Sequence, residues 1–359
     1  MPLQTIPVRD LGGGVNDFNL PSNIDPSEMQ NTSRNVRGEA EYCIQRPGYV
    51  TFADLKTGNT SGIRWLSPYF AQVDTNDRLF MVYGTTMYLV DPTVGETWTA
   101  IVDANFTNGD NVTTCCFGGW LFVFNGVNQA QKIDGTTATQ PFVKPDSIGA
   151  ASGFTPAFGV VYAGSLFVSG VSTAPNVVYT SKTSTSASQE DVYDFSGAIG
   201  TLGTDANEML FDNRVTALQL MSTACVVFLT DSVWYVPGIK DLADGGYDYE
   251  RQPIGGAYGA VSQKATCAVN NDIYYITPNK QIRSIRRDIS NNQQSMITFP
   301  LSKKIQNFLD EQIDDDLSSA FCYFNPQRRE VYFHFRLKGE VSNFIRITGN
   351  MDRVDKDGC

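Results

Sequence analysis

The only histidine of the chain, His334, is the first residue to consider as a catalytic group. It lies inside "EVYFHFR", where strand alternation defines two faces: Tyr332, His334 and Arg336 on one, and Val331, Phe333 and Phe335 on the other. A single histidine could serve a Ser-His-Asp or Cys-His site. No G-x-S-x-G elbow and no cysteine signature accompanies it, so we interpret His334 as a histidine on a strand surface.

Carboxylates are the second candidate chemistry. Four aspartates recur near the ends of apolar runs: Asp91, Asp134, Asp231 and Asp272. Carboxylate pairs hydrolyse glycosides, and some β-propellers carry them in a central channel. Aspartate is also a common turn former, because its side chain bonds to the nearby backbone. We favour the turn interpretation and predict no catalytic residue, no metal site and no cofactor.

Three further clusters have both a functional and a structural interpretation. The acidic run "DEQIDDD" (residues 310–316) lacks the EF-hand pattern, so we interpret it as the solvated face and end of a helix. "GGAYGA" (residues 255–260) has no strand-to-helix transition around it, which favours turn glycines over a phosphate loop. "RSIRR" (Arg283, Arg286 and Arg287) is explained equally well by an acidic partner and by a solvated strand face.

Composition excludes several classes of protein. The net charge of −11 argues against sequence-independent binding of duplex DNA, but it is compatible with an acidic channel wall that DNA passes. Seven cysteines without CxxC or metal-ligand spacing indicate reduced, buried thiols. The N-terminus lacks the pattern of a secretion signal, and no apolar segment approaches the ~20 residues of a membrane span, so we expect synthesis in a cytoplasm.

The elements that would position these residues follow a repeat. Short apolar cores begin at spacings of 42, 45, 60, 47 and 58 residues: Leu79, Leu121, Leu166, Val226, Ile273 and Val331. Turn residues follow most of them, and second strands come next, at residues 87–90, 177–179, 232–236 and 282. A period of about 40 to 50 residues with several strands per unit is typical of propeller blades. The sequence therefore predicts an all-β protein, a β-propeller of six or seven blades. Two sandwiches with a boundary near residues 180–189 are the alternative.

One helix and one arm complete the predicted organisation. In "SKKIQNFLDEQIDD" the apolar residues Ile305, Phe308, Leu309 and Ile313 share a face, and Ser302 is the predicted N-cap of this decorating helix. Glycine and proline interrupt the first fifty residues too often for a packed element. We predict an extended N-terminal arm (residues 1–50), a propeller (residues 51–345) and a C-terminal tail (residues 346–359).

The arm also carries a resemblance. Its pattern is a Gly-Gly-x-Asn start, a proline-rich segment, an Asn-Val pair and an Arg-Pro-Gly close: Gly13, Gly14, Val15 and Asn16; Pro26, Glu28 and Met29; Asn35 and Val36; Arg46, Pro47 and Gly48. This pattern resembles the opening of bacteriophage tail nozzle proteins, the family of tail tubular protein B and packaged-DNA stabilisation proteins. Two further similar stretches are residues 214–238 and residues 254–285, the second with Gly259 and Ser262 at a Gly-x-x-Ser position.

The resemblance implies a virion structural protein of the phage neck or tail. Such proteins are β-propellers in a ring, typically of six copies, below the portal and its adaptor. The ring extends the DNA channel and helps to retain and eject packaged DNA. The implied partners are further copies of the chain, the adaptor or portal, other tail proteins, and DNA passing without sequence-specific binding. The implied assembly residues are those of the arm: Gly13, Gly14, Asn16, Asn35, Arg46, Pro47 and Gly48.

Two alternatives stay open. The first is a carbohydrate-binding or glycoside-hydrolysing propeller at a tail tip, which predicts a carboxylate pair or an aromatic platform, with Trp120 and Trp234 as the residues to inspect. The second is a cellular propeller scaffold that binds peptides.

Overall fold

The computed structural model describes most of the chain between residues 63 and 350 and four short strands before it. The described residues are 15–16, 29–30, 36–38, 43–45, 63–70, 77–90, 98–101, 111–134, 139–141, 154–183, 192–195, 207–241, 247–254, 258–286, 288–289, 300–340 and 344–350. They fall into two compact units, one formed by residues 52–273 and the other by residues 1–51 together with 274–359. Antiparallel sheets dominate both units, which confirms the all-β prediction.

Four short strands belong to the segment that the sequence predicts as an extended arm. Strands β1 (Val15–Asn16) and β2 (Met29–Gln30) pair in parallel, and β3 (Val36–Gly38) pairs antiparallel with β4 (Cys43–Gln45). Of the predicted assembly residues, Asn16 lies in β1, while Gly13, Gly14, Asn35, Arg46, Pro47 and Gly48 lie outside the described residues.

The unit of residues 52–273 begins with two four-stranded antiparallel meanders. The first sheet contains β5 (Ile63–Phe70), β6 (Asp77–Tyr83), β7 (Thr86–Val90) and β8 (Trp98–Ala100). The second sheet contains β9 (Thr113–Phe117), β10 (Trp120–Phe124), β11 (Gln131–Ile133) and β12 (Thr139–Pro141). In each sheet, every strand pairs with the next strand along the chain.

Two more sheets repeat this topology. The third contains β13 (Phe158–Tyr162), β14 (Ser165–Ser169), β15 (Val177–Thr180) and β16 (Asn207–Leu210). The fourth contains β17 (Val215–Met221), β18 (Ala224–Leu229), β19 (Val233–Val236) and, after an inserted hairpin of β20 (Ile239–Asp241) and β21 (Tyr247–Tyr249), β22 (Gln252–Pro253). A 3-10 turn (Gln263–Ala265) leads into β23 (Thr266–Val269).

The other unit contains the final strands. Strand β24 (Asp272–Ile276), within which the division between the units falls, pairs antiparallel with β25 (Ile282–Ser284). Helix α1 (Gln306–Gln312) follows a 3-10 turn (Lys303–Ile305). The last sheet is the meander of β26 (Phe321–Asn325), β27 (Glu330–Arg336) and β28 (Phe344–Asn350), and β28 runs across the predicted domain boundary at residue 345.

The six apolar cores of the sequence repeat are six strands of the structure. Leu79, Leu121, Leu166, Val226 and Val331 each lie in the second strand of an antiparallel sheet, and Ile273 lies in β24. The predicted following strands are β7, β15, β19 and β25. The repeat therefore predicted the number and place of the central strands correctly.

Two of the central strands, β10 and β14, are buried on both faces and are largely apolar. In β10, Leu121 packs in a cluster with Phe80 of the first sheet, whereas Phe122 packs with Leu166 of the third. In β14, the next residue, Phe167, packs in turn with the fourth sheet. Alternate side chains of β10 and of β14 thus enter different inter-sheet cores, so the first four sheets are stacked layers and these two strands lack a solvent face.

The predicted cap of α1 is wrong. The Ser302 hydroxyl makes no capping bond to the helix backbone. Instead, Ser302 Oγ accepts a hydrogen bond from the backbone N–H of Ile282 at 3.0 Å and lies 3.0 Å from Gln306 Oε1. The buried hydroxyl therefore joins the helix entry to the strand β25, an interaction that no local sequence pattern could show.

Candidate functional site

The first strands of consecutive sheets form a connected row in the unit of residues 52–273. Strand β5 contacts β9, β9 contacts β13, β13 contacts β17, and β17 contacts β23. We call β5, β9, β13, β17 and β23 with its preceding 3-10 turn the first-strand row. The sheets of this unit are thus ordered in space as they are along the chain, with their first strands adjacent.

Side-chain hydrogen bonds accompany the early junctions of the first-strand row. Trp65 Nε1 donates to Thr114 Oγ1 at 3.1 Å, which joins β5 to β9. Thr113 Oγ1 donates to the carbonyl oxygen of Ala157, just before β13, at 2.7 Å. Tyr162 OH lies 3.0 Å from the Thr223 carbonyl oxygen and 2.6 Å from that of Pro237, which joins β13 to the fourth sheet.

The last junction is a double hydrogen bond. Leu218 N–H donates to Gln263 Oε1 at 2.7 Å, and Gln263 Nε2 donates to the Leu218 carbonyl oxygen at 2.8 Å. Gln219 Nε2 adds a bond to Thr266 Oγ1 at 2.9 Å. The Gln263 amide therefore pairs with the open edge of β17 as a neighbouring strand would.

The two ends of the first-strand row also meet. Lys264 Nζ, just before β23, lies 5.6 Å from the centroid of the Trp65 ring in β5, within cation–π range. A row whose first and last members touch is curved and not straight. Side chains from its two ends therefore lie close together.

A second feature lies on the last sheet, where His334 stands. The cross-strand partner of His334 is Phe321, and their rings stack with centroids 4.4 Å apart and planes 6° apart. Tyr323 stacks on His334 at 5.6 Å and 20°, and the planes of Phe321 and Tyr323 differ by 14°. We call Phe321, Tyr323 and His334 the aromatic stack.

Tyr332, a neighbour of the aromatic stack, contacts two charged side chains. Tyr332 lies opposite Tyr323 and donates its hydroxyl hydrogen to Glu330 Oε2 at 2.7 Å. The Arg346 guanidinium lies 4.3 Å from the centroid of the Tyr332 ring. The predicted two-faced strand is confirmed, since Val331, Phe333 and Phe335 are buried on the opposite side, but Tyr332 is buried as well.

Three aspartates of the acidic run (residues 310–316) form ion pairs with lysine and arginine side chains, so the run is more than a solvated surface. Arg336 contacts Asp314 Oδ2 at 2.8 Å and Asp316 Oδ2 at 3.2 Å, and Lys280 Nζ contacts Asp315 Oδ1 at 2.7 Å. The hydrogen bond from Lys280 lowers the pKa of Asp315 below its usual range. A hydrogen bond from the Ser318 backbone lowers the pKa of Asp316.

Of the predicted turn aspartates, Asp231 lies in the bend between β18 and β19, whereas Asp272 is the first residue of strand β24. Asp231 accepts hydrogen bonds from Asn213 Nδ2 at 2.7 Å and Ser232 Oγ at 3.1 Å. Asp272 accepts one from the Ile273 backbone N–H at 2.7 Å. Asp134 is half-buried after β11, and Asp91 lies outside the described residues. Within the described part of the chain, no group of three or more His, Cys, Asp or Glu residues could hold a metal ion.

The first arginine of the basic cluster "RSIRR", Arg283, is buried. The interpretation of the cluster as a solvated strand face is therefore wrong for this residue. Arg283 is 3% exposed and binds Asp288 Oδ1 at 3.1 Å, while Tyr275 OH donates to Asp288 Oδ2 at 2.8 Å. Arg286 is exposed, and Arg287 lies outside the described residues. This ion pair is buried, so the Arg283 guanidinium is not accessible to an acidic partner protein.

The two tryptophans that the carbohydrate alternative singled out are not an exposed platform. Trp120 is buried and lies edge-on to Tyr193, with Lys132 Nζ 4.6 Å from both ring centroids. Trp234 is half-buried against Phe211. Among the described aromatic side chains, Tyr258 and Tyr323 are exposed, and Tyr323 belongs to the aromatic stack. The alternating apolar pattern "FCYFN" could have indicated this stack once paired with "VYFHF".

The three described thiols with a shifted pKa, those of Cys115, Cys116 and Cys225, all have it raised. Burial raises the pKa of the Cys225 thiol, and burial together with the neighbouring Cys116 raises the pKa of Cys115. Nucleophilic cysteines need the opposite shift. Within the described chain the cysteines 115, 116, 225, 267 and 322 form no disulfide, and no helix there is long and apolar enough to cross a bilayer.

Comparison with known proteins adds distant similarities. No protein family and no curated protein matches the chain. Among solved structures it is similar to PorZ, a surface component of the type-IX secretion system of Porphyromonas gingivalis, with a TM-score of 0.43, 10% identity, and coverage of 89% of this chain and 36% of PorZ. It is also similar to YCF48 bound to D1 peptide, with a TM-score of 0.41, 11% identity, and coverage of 84% of this chain and 87% of YCF48. The dihydro-heme d1 dehydrogenase NirN has a TM-score of 0.41 and 9% identity, with coverage of 79% of this chain and 54% of NirN. The chain thus spans about a third of PorZ. Because each TM-score is below 0.5, neither fold nor function is carried over from these proteins.

Proposed function

We propose that the repeated sheets are the blades of one β-propeller and that the chain is a structural subunit of a phage tail or neck. The observation that carries the propeller is the curved first-strand row, with Trp65 and Lys264 in contact at its ends. In a propeller the first strands of successive blades surround an axis, and blades with two apolar faces cover one another. The inter-sheet clusters around β10 and β14 support this arrangement.

The same contact bears on where DNA would pass. Lys264 Nζ lies 5.6 Å from the Trp65 ring, so the gap between the two ends of the first-strand row is far narrower than a DNA duplex. On this proposal the DNA channel lies between copies of the chain, on the axis of the ring they form. The net charge of −11 supports such a wall, because like charges keep DNA from adhering to it.

The place in a virion rests on the arm. The Gly-Gly-x-Asn start and the Arg-Pro-Gly close (Gly13, Gly14, Asn16, Arg46, Pro47 and Gly48) resemble the nozzle family, whose members form rings below portal and adaptor. We assign the chain the role of a non-enzymatic ring subunit, made in the host cytoplasm, that helps to retain and eject packaged DNA. The arm binds the neighbouring copy or the adaptor.

Assembly of the purified chain tests this role. We expect mass photometry of the full chain to show a ring, with a hexamer as the leading species, and negative-stain images to show an open centre. Deletion of residues 1–45 should leave monomers whose remaining sheets are folded, as judged by a cooperative thermal unfolding transition. Deletion of residues 351–359, a short loss at the other terminus, should leave the ring intact.

Labelling of particles tests the location. Antibodies against the chain should label purified phage at a single tail vertex in electron micrographs. A full-length chain that stays monomeric at every concentration and is absent from intact particles contradicts the virion role. A ring that forms equally well without residues 1–45 contradicts only the role assigned to the arm and leaves the virion role in place.

A further inference from the structure

The fourth strands of the first four sheets differ in how well their free edges are protected. Each is the last strand of its sheet, so one of its edges has no neighbouring strand among the described residues. Strands β8 and β12 have three residues each and β22 has two, whereas β16 has four. Pro141 lies in β12 and Pro253 in β22, and proline has no N–H group to offer to another strand. Strand β16 ("NEML") is the longest and contains neither proline nor lysine, so its own residues protect it least.

The inserted hairpin of β20 and β21 lies against this strand, since β21 contacts β16. Tyr249, the last residue of β21, is 4% exposed and packs in one apolar cluster with Met209 of β16. Its ring centroid is 5.1 Å from that of Phe167 in β14, and its hydroxyl shares hydrogen bonds with the side chains of Ser165 and Thr180. One residue of the hairpin therefore anchors it to three strands of the third sheet.

Arg251, just after the hairpin, binds the end of β16. Its Nη1 donates to the Leu210 carbonyl oxygen at 2.8 Å, and its Nη2 donates to Asp248 Oδ2 in β21 at 3.0 Å. Leu210 is 64% exposed, so a large apolar side chain lies at the surface beside this contact. A carbonyl group that already accepts from a guanidinium is less available to a strand of another chain. We call β20, β21 and Arg251 the strap.

We propose that the strap keeps the free edge of β16 from pairing with the same edge of a second copy of the chain. Two identical edges can pair antiparallel about a two-fold axis, and an unprotected edge strand is a template for such pairing. In the register that pairs all four residues, Glu208 lies opposite Met209 of the other copy, so the two carboxylates do not face each other. The proposal does not depend on the virion role, because it concerns the third and fourth sheets alone.

Removal of the strap from the full chain tests the proposal. The backbone N–H of Glu250 donates to the Gly238 carbonyl oxygen at 3.0 Å, so two glycines can replace residues 239–249 without stretching the chain. Hydrogen exchange of residues 207–210 should become about tenfold faster, which is the effect expected from the loss of one or two hydrogen bonds. Mass photometry and light scattering at rising concentration should show species larger than those of the wild type. Leu210→Lys in the strap-deleted chain should return the size to that of the wild type, because a lysine at an edge opposes pairing.

A milder variant and a matched control accompany the deletion. Arg251→Ala removes only the bond to Leu210 and should give the same two changes to a smaller extent, so it decides the question if the deletion does not fold. Arg214→Ala, at an exposed arginine before β17, should behave as the wild type does. Circular dichroism and thermal unfolding report whether each variant is folded.

Three results would overturn the strap. The first is unchanged exchange of residues 207–210 after its removal, and the second is faster exchange without any larger species. The third is association that Leu210→Lys does not reverse or that Arg214→Ala reproduces, because that association would use another surface. Ring assembly of the wild type is measured separately and decides only the virion role.

Discussion

Gln263 and Leu218 exchange two hydrogen bonds, so that one side-chain amide satisfies both the N–H and the C=O of a residue in β17. Leu218 is fully buried, and the same strand pairs on its other side with β18. The amide therefore takes the place of a missing strand at the last described junction of the first-strand row.

Replacement of Gln263 should loosen this junction. We expect Gln263→Ala to lower the free energy of unfolding by about 1–3 kcal/mol, because it leaves a buried donor and acceptor unsatisfied. Gln263→Glu should be no better, since a carboxylate accepts from Leu218 N–H but faces its carbonyl oxygen without a donor. Urea unfolding is the measurement. Gln252→Ala, at an exposed amide, is the control, and an equal loss there would contradict the assignment.

Gly259 should tolerate no side chain. A Cβ at this position would overlap the Leu229 carbonyl oxygen and lie 2.6 Å from the carbonyl oxygen of Thr230. Gly259→Ala should therefore cost about 1–3 kcal/mol through backbone displacement. Gly238→Ala, whose Cβ would meet no atom within 4 Å, should change stability by less than about 0.5 kcal/mol. Similar urea midpoints for the two variants would show that the close approach is not maintained in solution.

Lys280 should stabilise the end of α1. Its ammonium donates to the Ile313 carbonyl oxygen at 2.8 Å, and the residue is 8% exposed. Lys280→Met should reduce stability by about 1–3 kcal/mol, because the buried carbonyl loses its donor. Lys338→Met is the matched control, because that side chain is 56% exposed and its ammonium is 4.0 Å from Asp315. Thermal unfolding compares the two, and an equal loss for both would mean that Lys280 acts only as a surface charge.

The same lysine should set the titration of Asp315. The Lys280 hydrogen bond, followed by the charges of Lys280 and Lys338, lowers the pKa of this carboxyl in the folded chain. Its stabilising contribution is thus present above the unfolded carboxyl pKa of about 3.9 and is lost as the pH falls through the lowered folded value. Lys280→Met should raise the Asp315 pKa, followed by NMR of its carboxyl carbon. Lys338→Met should raise it less, and the reverse order would refute the assignment.

Tyr179 should make the fold sensitive to alkali. Burial, followed by the charge of Glu208, raises its pKa from 10.0 to about 12. Because the folded pKa is the higher one, the contribution of Tyr179 is complete below pH 10 and is lost as the pH rises through about 12. Tyr179→Phe should flatten the decline of urea stability between these values. Tyr258→Phe, at an exposed ring, is the control, and identical slopes for wild type and Tyr179→Phe would exclude the effect.

Much of the fold follows from the sequence because its signals are local. The continuous apolar runs at Leu79, Leu121 and Leu166 place these central strands, since a strand with two buried faces is largely apolar along its length. Turn residues after each run separate the strands, and the alternation in "EVYFHFR" places the two faces of β27. The propeller, the ring and the virion role stay predictions, and so do the domain boundaries and most of the arm residues.

The tertiary structure alone decided which distant residues meet. Trp65 and Thr114 are 49 residues apart, and Gln263 and Leu218 are 45 apart, so no periodicity within one strand connects them. The charge of Arg283 was compatible with a solvent-exposed side chain, but the fold buries it against Asp288. The fold also stacks the ring of Phe321 on that of His334 across a hairpin. The composition and spacing of residues determine each strand by itself, because strand formation depends on neighbours in sequence. The contacts that bind sheet to sheet and shape the candidate sites depend on register and packing, which arise only when the whole chain has folded.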